Sequence, residues 1–317
     1  MKPNDEFDLT PDLSNPKKDL PKQNDFNPPS DTNDPISYST DSGMTVEEER
    51  DPNRIQVVIS DPSPIIILFG ARTSGKTMTL VRLTRYLKKN GYKVEPDRIF
   101  RPSNSAHYEK MCNEFDRNIN NNDLSGAGTN IISFMLVKVM NANGEPVCQI
   151  LEAPGEHYFD PIDIHKPFPR YINEICSIDN PKTWIFIVER SWSDSNTRLA
   201  YANKIIEMES QIDVRDKIIF MCHKVDLHKS LIIKDSPNDH QFFKDINNQY
   251  PGIFDKYTNK IPVLNWFNRY SFDFVTFSAG MFNKLASVGA ETFTPSKDKY
   301  PHKLWSVILK TVKGSWF

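Results

Sequence analysis

The chain has 317 residues, 38% of them hydrophobic and 25% charged, with a formal net charge of -2 at pH 7. That is enough apolar material for a sizeable buried core, and the near-neutral charge offers no electrostatic basis for generic nucleic-acid binding. The longest apolar runs, 64–70 and 217–222, fall far short of the roughly 20 residues that a bilayer-spanning helix requires.

Met1 to Asn53 is dense in Pro, Asp, Asn, Ser and Lys, with only isolated apolar residues. Such a stretch buries too little surface to offset its ordering entropy and is expected to be a disordered tail. Phe7, Leu9, Phe26 and Tyr38 are candidate anchors for a partner. No hydrophobic segment follows the N-terminal charges, so no signal peptide is expected. Cys112, Cys148, Cys176 and Cys222 are scattered without a C-x-x-C pair, which suits free thiols in a reducing cytoplasm.

Order is expected from Arg54, where Arg54 to Ser60 alternates as an edge strand. Pro64-Ile-Ile-Ile-Leu-Phe69 follows, a short β-branched run that reads as a buried strand. Gly70-Ala71-Arg72-Thr73-Ser74-Gly75-Lys76-Thr77 then matches the phosphate-binding pattern G-x-x-x-x-G-K-[ST] in full. Met78 to Asn90 carries Leu80, Leu83 and Leu87 at helical spacing and stops at Asn90-Gly91. Strand, loop and helix are the context this chemistry needs. Inward-turned backbone N–H groups and the positive end of the helix cradle phosphate oxygens. In this pattern Lys76 would reach the outer phosphates and the Thr77 hydroxyl would ligate Mg²⁺.

Residues 92–128 read as irregular and polar, with one helix from Ala106 to Arg117 and a mobile Asn- and Gly-rich loop over 118–128. Ile131 to Met140 and Pro146 to Leu151 read as a hairpin turning at Asn141-Ala-Asn-Gly144. Further strands are expected at Thr183–Glu189, Lys217–Cys222 and Phe274–Phe277, with helices at Leu199–Ile212 and Pro301–Val312. Between them, 227–270 holds many aromatics, among them Phe242, Phe243, Tyr250, Phe254, Tyr257, Trp266, Phe267 and Tyr270. These suit an extra helical layer or a partner surface. The terminal Trp316-Phe317 pair suits docking on the body or on a partner. Alternating strands and helices imply an α/β domain with a mostly parallel sheet covered on both faces.

Three more loops follow strands: Glu152-Ala-Pro-Gly155-Glu156, His223-Lys224-Val-Asp226 and Thr276-Phe-Ser278-Ala279-Gly280. Together with the phosphate loop, and in this order, they resemble the motifs of the Ras-like small GTPases of the translation-factor-related class. The resemblance implies a divergent, bacterial member with a Ras-like P-loop GTPase fold: a mostly parallel six-stranded sheet, helices on both faces and one antiparallel hairpin strand. The domain would span 54–317, with insertions near 92–128 and 227–270. GTP or GDP would lie along Gly70–Thr77, and Mg²⁺ would be held by Thr77, Thr129 and Glu152. The Gly155 N–H would sense the γ-phosphate. Lys224 would lie on the purine, the Asp226 carboxylate would take the guanine N1–H and 2-amino groups, and Ser278 and Ala279 would meet the 6-oxo group. His223 stands where the family has Asn, Glu152 where it has Asp, and Glu156 where it has the Gln that orients water. Arg72, where Gly is usual, either stabilises transition-state charge in cis, blocks an activator's arginine, or points to solvent.

The resemblance implies a Mg²⁺-dependent GTP/GDP switch with slow hydrolysis that controls a protein effector in the cytoplasm, without nucleic acid or direct membrane insertion. No lipidation motif is evident at either end. Two other classes stay open: a scaffold with GTP as a structural ligand, and a P-loop ATPase or kinase with 92–128 as a lid.

Overall fold

The computed structural model describes residues 44–120, 134–192, 194–259, 269–284 and 291–314. The first described element, α1 (Val46–Arg50), lies inside the stretch expected to lack structure. Its start is a capping box: the Thr45 hydroxyl accepts from Glu48 N at 3.2 Å, and the Glu48 carboxylate accepts from Thr45 N at 2.9 Å. The expected edge strand over 54–60 does not form: Arg54 ends a 3-10 turn (Pro52–Arg54) and 55–60 carry no regular structure. Their alternation is real, with Ile55 buried and Val57 and Ile59 packed on the core. The Val58 amide instead makes a loop bond, donating to the Phe100 carbonyl at 2.9 Å.

β1 (Ile65–Phe69) is buried throughout and leads into α2 (Lys76–Lys89). β2 (Lys93–Pro96) and α3 (Ser105–Asn120) follow, then the hairpin β3 (Met135–Met140) and β4 (Pro146–Glu152). α4 (Gly155–Tyr158) and α5 (Arg170–Ser177) precede β5 (Lys182–Glu189), α6 (Ser195–Met208) and β6 (Lys217–His223). α6 starts earlier than the apolar spacing suggests, because Asp194 caps it by accepting from Asn196 N and Thr197 N. A small hairpin, β7 (Ile232–Ile233) and β8 (Ser236–Pro237), comes before α7 (Asp239–Gln249) and β9 (Asp273–Thr276). A second hairpin, β10 (Gly280–Lys284) and β11 (Glu291–Pro295), leads into α8 (Lys299–Lys313).

The main sheet has seven strands in the order β2-β3-β4-β1-β5-β6-β9. Six are those expected. The seventh, β2, adds antiparallel to β3 within the stretch read as irregular. It is only four residues long, carries Lys93 and ends at Pro96, a composition that hides a strand from a propensity reading and suits a sheet edge. β4, β1, β5, β6 and β9 are mutually parallel, so their C-terminal ends lie along one edge of the sheet.

Both faces are covered. Along β5, Trp184 and Phe186 turn towards the Phe69, Phe220 and Tyr257 rings, whereas the Thr183 hydroxyl on the other face bonds Thr311 of α8 at 3.1 Å. The aromatics of the 227–270 insertion extend this core as expected of a packing layer. Phe243 stacks on Phe254 at 4.7 Å and Phe254 meets Phe220 at 4.9 Å. Trp266, Phe267, Trp316 and Phe317, like Phe7, Leu9, Phe26 and Tyr38, lie outside the described residues. Phe186 joins these layers through Phe69 at 5.2 Å and Phe220 at 5.3 Å. Phe186→Ala is therefore expected to lower the unfolding free energy by about 3–5 kcal/mol, read by chemical denaturation.

Candidate functional site

The common edge gathers loops that are far apart in sequence. The phosphate loop leaves β1, Glu152 ends β4 in register with Leu68, Glu189 ends β5 opposite His223, and Ser278 and Ala279 follow β9. In open α/β sheets this edge is where ligands bind.

Within the phosphate loop Lys76 is buried, and its Nζ donates to the Gly70 carbonyl at 3.1 Å and the Ala71 carbonyl at 3.0 Å. Burial lowers its pKa, opposed by the charges of Glu152 and then Glu156. The ammonium is thereby fixed at the mouth of α2. Thr73 (φ 62°) and Gly75 (φ 93°) turn the loop through left-handed conformations. Gly75 meets two needs at once. Besides its positive φ, a Cβ there would come within 2.6 Å of the His223 ring.

Thr77 lies in the first turn of α2, and its hydroxyl donates to Glu152 Oε1. Glu152 is fully buried, and its Oε2 has no hydrogen-bond partner. Burial pushes its carboxyl up to about 7, against the pull of Lys76 and the Thr77 hydroxyl. A hydroxyl and an under-satisfied carboxylate side by side are hard oxygen donors that fit Mg²⁺, whose charge would relieve the desolvated acid. The extra methylene of Glu152 does not prevent its reaching Thr77. Thr129, the third expected ligand, lies outside the described residues.

The Gly155 turn lies directly on the phosphate loop. A Cβ at Gly155 would come within 2.3 Å of Arg72 N and 2.5 Å of the Ala71 carbonyl carbon, so only glycine permits this approach. Glu156 and the Arg72 side chain are exposed, and Arg72 forms no ion pair among the described residues. Ser74 is buried with an unpartnered hydroxyl.

At the other end, Lys224 (φ 57°) reaches back over the phosphate loop. Its Nζ donates to the Thr73 carbonyl at 3.2 Å and pairs with Glu189 at 2.8 Å. The lysine stem thus forms a bridge joining the two ends of the site. Asp226 is half-buried and has no hydrogen bond among the described residues. The Val225 amide donates to the Phe277 carbonyl at 3.4 Å, placing the Asp226 turn beside Ser278 and Ala279, both buried. The Ser278 hydroxyl and both His223 ring nitrogens are buried without partners. Strand order and loop placement together decide the architecture. The fold is an α/β fold with a mostly parallel central sheet covered on both faces.

No family model and no curated protein matches the chain. Among solved structures it is similar to one from Plasmodium falciparum assigned as nucleolar GTP-binding protein 1. The identity is 14% over 81% of this chain and 92% of that one, with a TM-score of 0.36. It is also similar to the S. cerevisiae Ski7 GTPase-like domain solved with GTP, at 14% identity over 68% of this chain and 43% of that one, with a TM-score of 0.35. For the same domain with GDP and inorganic phosphate the figures are 12%, 78%, 50% and 0.37. This chain therefore spans half of those Ski7 chains or less. Scores this low add nothing to the site, which stands on the contacts above.

Two supporting residues escaped the motif reading. Glu189 anchors Lys224, and the Tyr250 hydroxyl bonds both backbone groups of Glu189, donating to its carbonyl at 2.8 Å and accepting from its amide at 3.2 Å. An acid ending an apolar strand was the one available signal for Glu189; nothing local pointed to Tyr250. A separate cleft of about 1080 Å³ lies between β2 and the 141–144 turn. Its charges pair with one another, Lys138 with Asp97 at 3.0 Å and Arg98 with Asp116 at 2.9 Å, which leaves no set free for phosphate. No helix among the described residues is long and apolar enough to cross a membrane.

His223 and His157 are kept neutral by burial, which lowers their pKa values to about 3 and about 4. The unfolded chain binds their protons near 6.5, so their stability contribution is complete above that pH and is lost as pH falls towards the folded values. Between pH 7 and pH 5 each histidine should cost about 2 kcal/mol. Denaturation of His223→Asn and His157→Asn at both pH values should show a shallower loss than the parent protein.

Proposed function

We propose that the chain is a guanine-nucleotide switch that binds GTP or GDP with Mg²⁺, hydrolyses GTP slowly and governs contact with a protein partner. One observation supports this reading: Lys224, on the loop proposed to read the base, donates to the Thr73 carbonyl of the phosphate loop and pairs with Glu189. Backbone amides of 70–77, Lys76 and the start of α2 would hold the phosphates. Thr77 and Glu152 would hold Mg²⁺, which supplies charge neutralisation between the outer phosphates. The Asp226 carboxylate would accept from guanine N1–H and the 2-amino group, donors that adenine lacks. An unmet buried acceptor costs about 1–3 kcal/mol, so GTP should be preferred over ATP by about fivefold or more. Ser278 and the Ala279 amide would meet the 6-oxo group, and Thr129 and Gly155 would answer to the γ-phosphate.

Thermal shift with GTP, GDP and ATP, each with Mg²⁺, tests the site. Ligand at a hundred times Kd adds about 2.7 kcal/mol. For a domain of this size that raises the midpoint by roughly 5–10 °C. Lys76→Ala should abolish the shift, and Asp226→Asn should blunt it for guanine nucleotides alone. An equal or larger shift with ATP would point instead to an ATPase or kinase and remove Asp226 from its role.

A second reading, a GTP-bound scaffold that hydrolyses little, is favoured by Glu156. A carboxylate there can orient a water but has no amide N–H to donate. Single-turnover assays should show Glu156→Gln releasing phosphate at least about tenfold faster than the parent, since a positioned water is a main contribution to this chemistry. No release from either protein, with partners present, would leave the scaffold.

A further inference from the structure

The segment leading into the domain is tied to the flank of the Gly155 turn through a buried ion pair. Glu48 of α1 is 7% exposed and pairs with the guanidinium of Arg101, which is wholly buried. Arg101 lies over the Phe134 ring at 4.5 Å and near Tyr108 at 5.7 Å. Phe134 in turn meets His157 edge-on at 6.4 Å and Tyr171 at 5.1 Å, and His157 Nδ1 is 2.7 Å from the Tyr171 hydroxyl. A second tie follows the same path: Asn53 Oδ1 accepts from Arg170 N at 3.0 Å. Pro52 shares a small pocket with Glu156, His157 and Pro169. His157 stands two residues from Gly155, whose backbone lies against Arg72.

We propose that residues 44–59 form a latch whose seating is coupled to the terminal phosphate of a nucleotide at the 70–77 loop. The latch supports His157 and Tyr171 through Arg101 and Phe134, and so holds the Gly155 turn against the Ala71–Arg72 backbone of the phosphate loop. A turn held in place costs less ordering when a γ-phosphate engages it. The seated latch therefore favours triphosphate over diphosphate, and by linkage triphosphate favours the seated latch. The inference rests on the guanine-nucleotide reading above, whose failure would show separately as no nucleotide binding by the parent protein.

The test compares dissociation constants for GDP and a thiophosphate analogue of GTP, with Mg²⁺, in the full chain and two variants. Glu48→Gln removes the charge that pairs with Arg101. Thr45→Ala removes only the cap of α1 and keeps the ion pair, so it serves if Glu48→Gln does not fold. In Glu48→Gln the preference for the triphosphate analogue should fall by about fivefold or more, the lower end of ordinary coupling, with GDP binding within about twofold of the parent. Thr45→Ala should shift the preference the same way by less. In the parent, amide hydrogen exchange over 46–59 should slow with the triphosphate analogue relative to GDP. Equal exchange in the two states, or both nucleotides weakened alike, would reduce the segment to a buttress and overturn the coupling.

Discussion

The site depends on one constraint: five parallel strands end along a single edge of the sheet. Parallel pairing gives every strand the same polarity, so the loops leaving β1, β4, β5, β6 and β9 are delivered side by side without further arrangement. β1 is buried along its whole length and β5 along all of its length but Glu189. Residues separated by about a hundred and fifty positions, Thr73 and Lys224 among them, meet there as a consequence of pairing rather than of local preference.

On that edge the electrostatics are concentrated and partly unmet. Lys76 is buried among carbonyl groups, Glu152 is buried beside it, and the Glu152 Oε2, Ser74, Ser278 and His223 side chains lack partners. Unmet buried polar groups are costly and are uncommon where nothing binds. Five such atoms, Glu152 Oε2, the Ser74 and Ser278 hydroxyls and both His223 ring nitrogens, lie on the loops proposed to hold the nucleotide. The departures from the usual motif residues fit the same space. The longer Glu152 still reaches Thr77, and the His223 ring fills the hollow left by Gly75.

The motif residues were legible in the sequence because each sits at a strand end with its own local signature. Gly70–Thr77, Glu152–Glu156, His223–Asp226 and Thr276–Gly280 all stand at the C-terminal ends of the strands that precede them. The residues that hold them were less visible. Glu189 and Tyr250 matter only because β5 and the end of α7 come together, and Arg101 looks like a surface arginine until Glu48, Phe134 and Tyr108 enclose it. β2 and α1 escaped because both are short: four residues ending in proline, and five residues set by a capping box within a polar stretch.

Hydrophobic periodicity and the glycine-lysine pattern by themselves determined an alternating α/β chain with a phosphate loop between a buried strand and a helix. Those are properties of neighbouring residues, whose backbone preferences act over a few positions. Strand order, the Lys224 bridge, the approach of Gly155 to Arg72 and the enclosure of Arg101 were decided only by tertiary structure. Each joins segments distant in the chain, and such contacts form when burying the whole core outweighs the entropy of closing the loops between them.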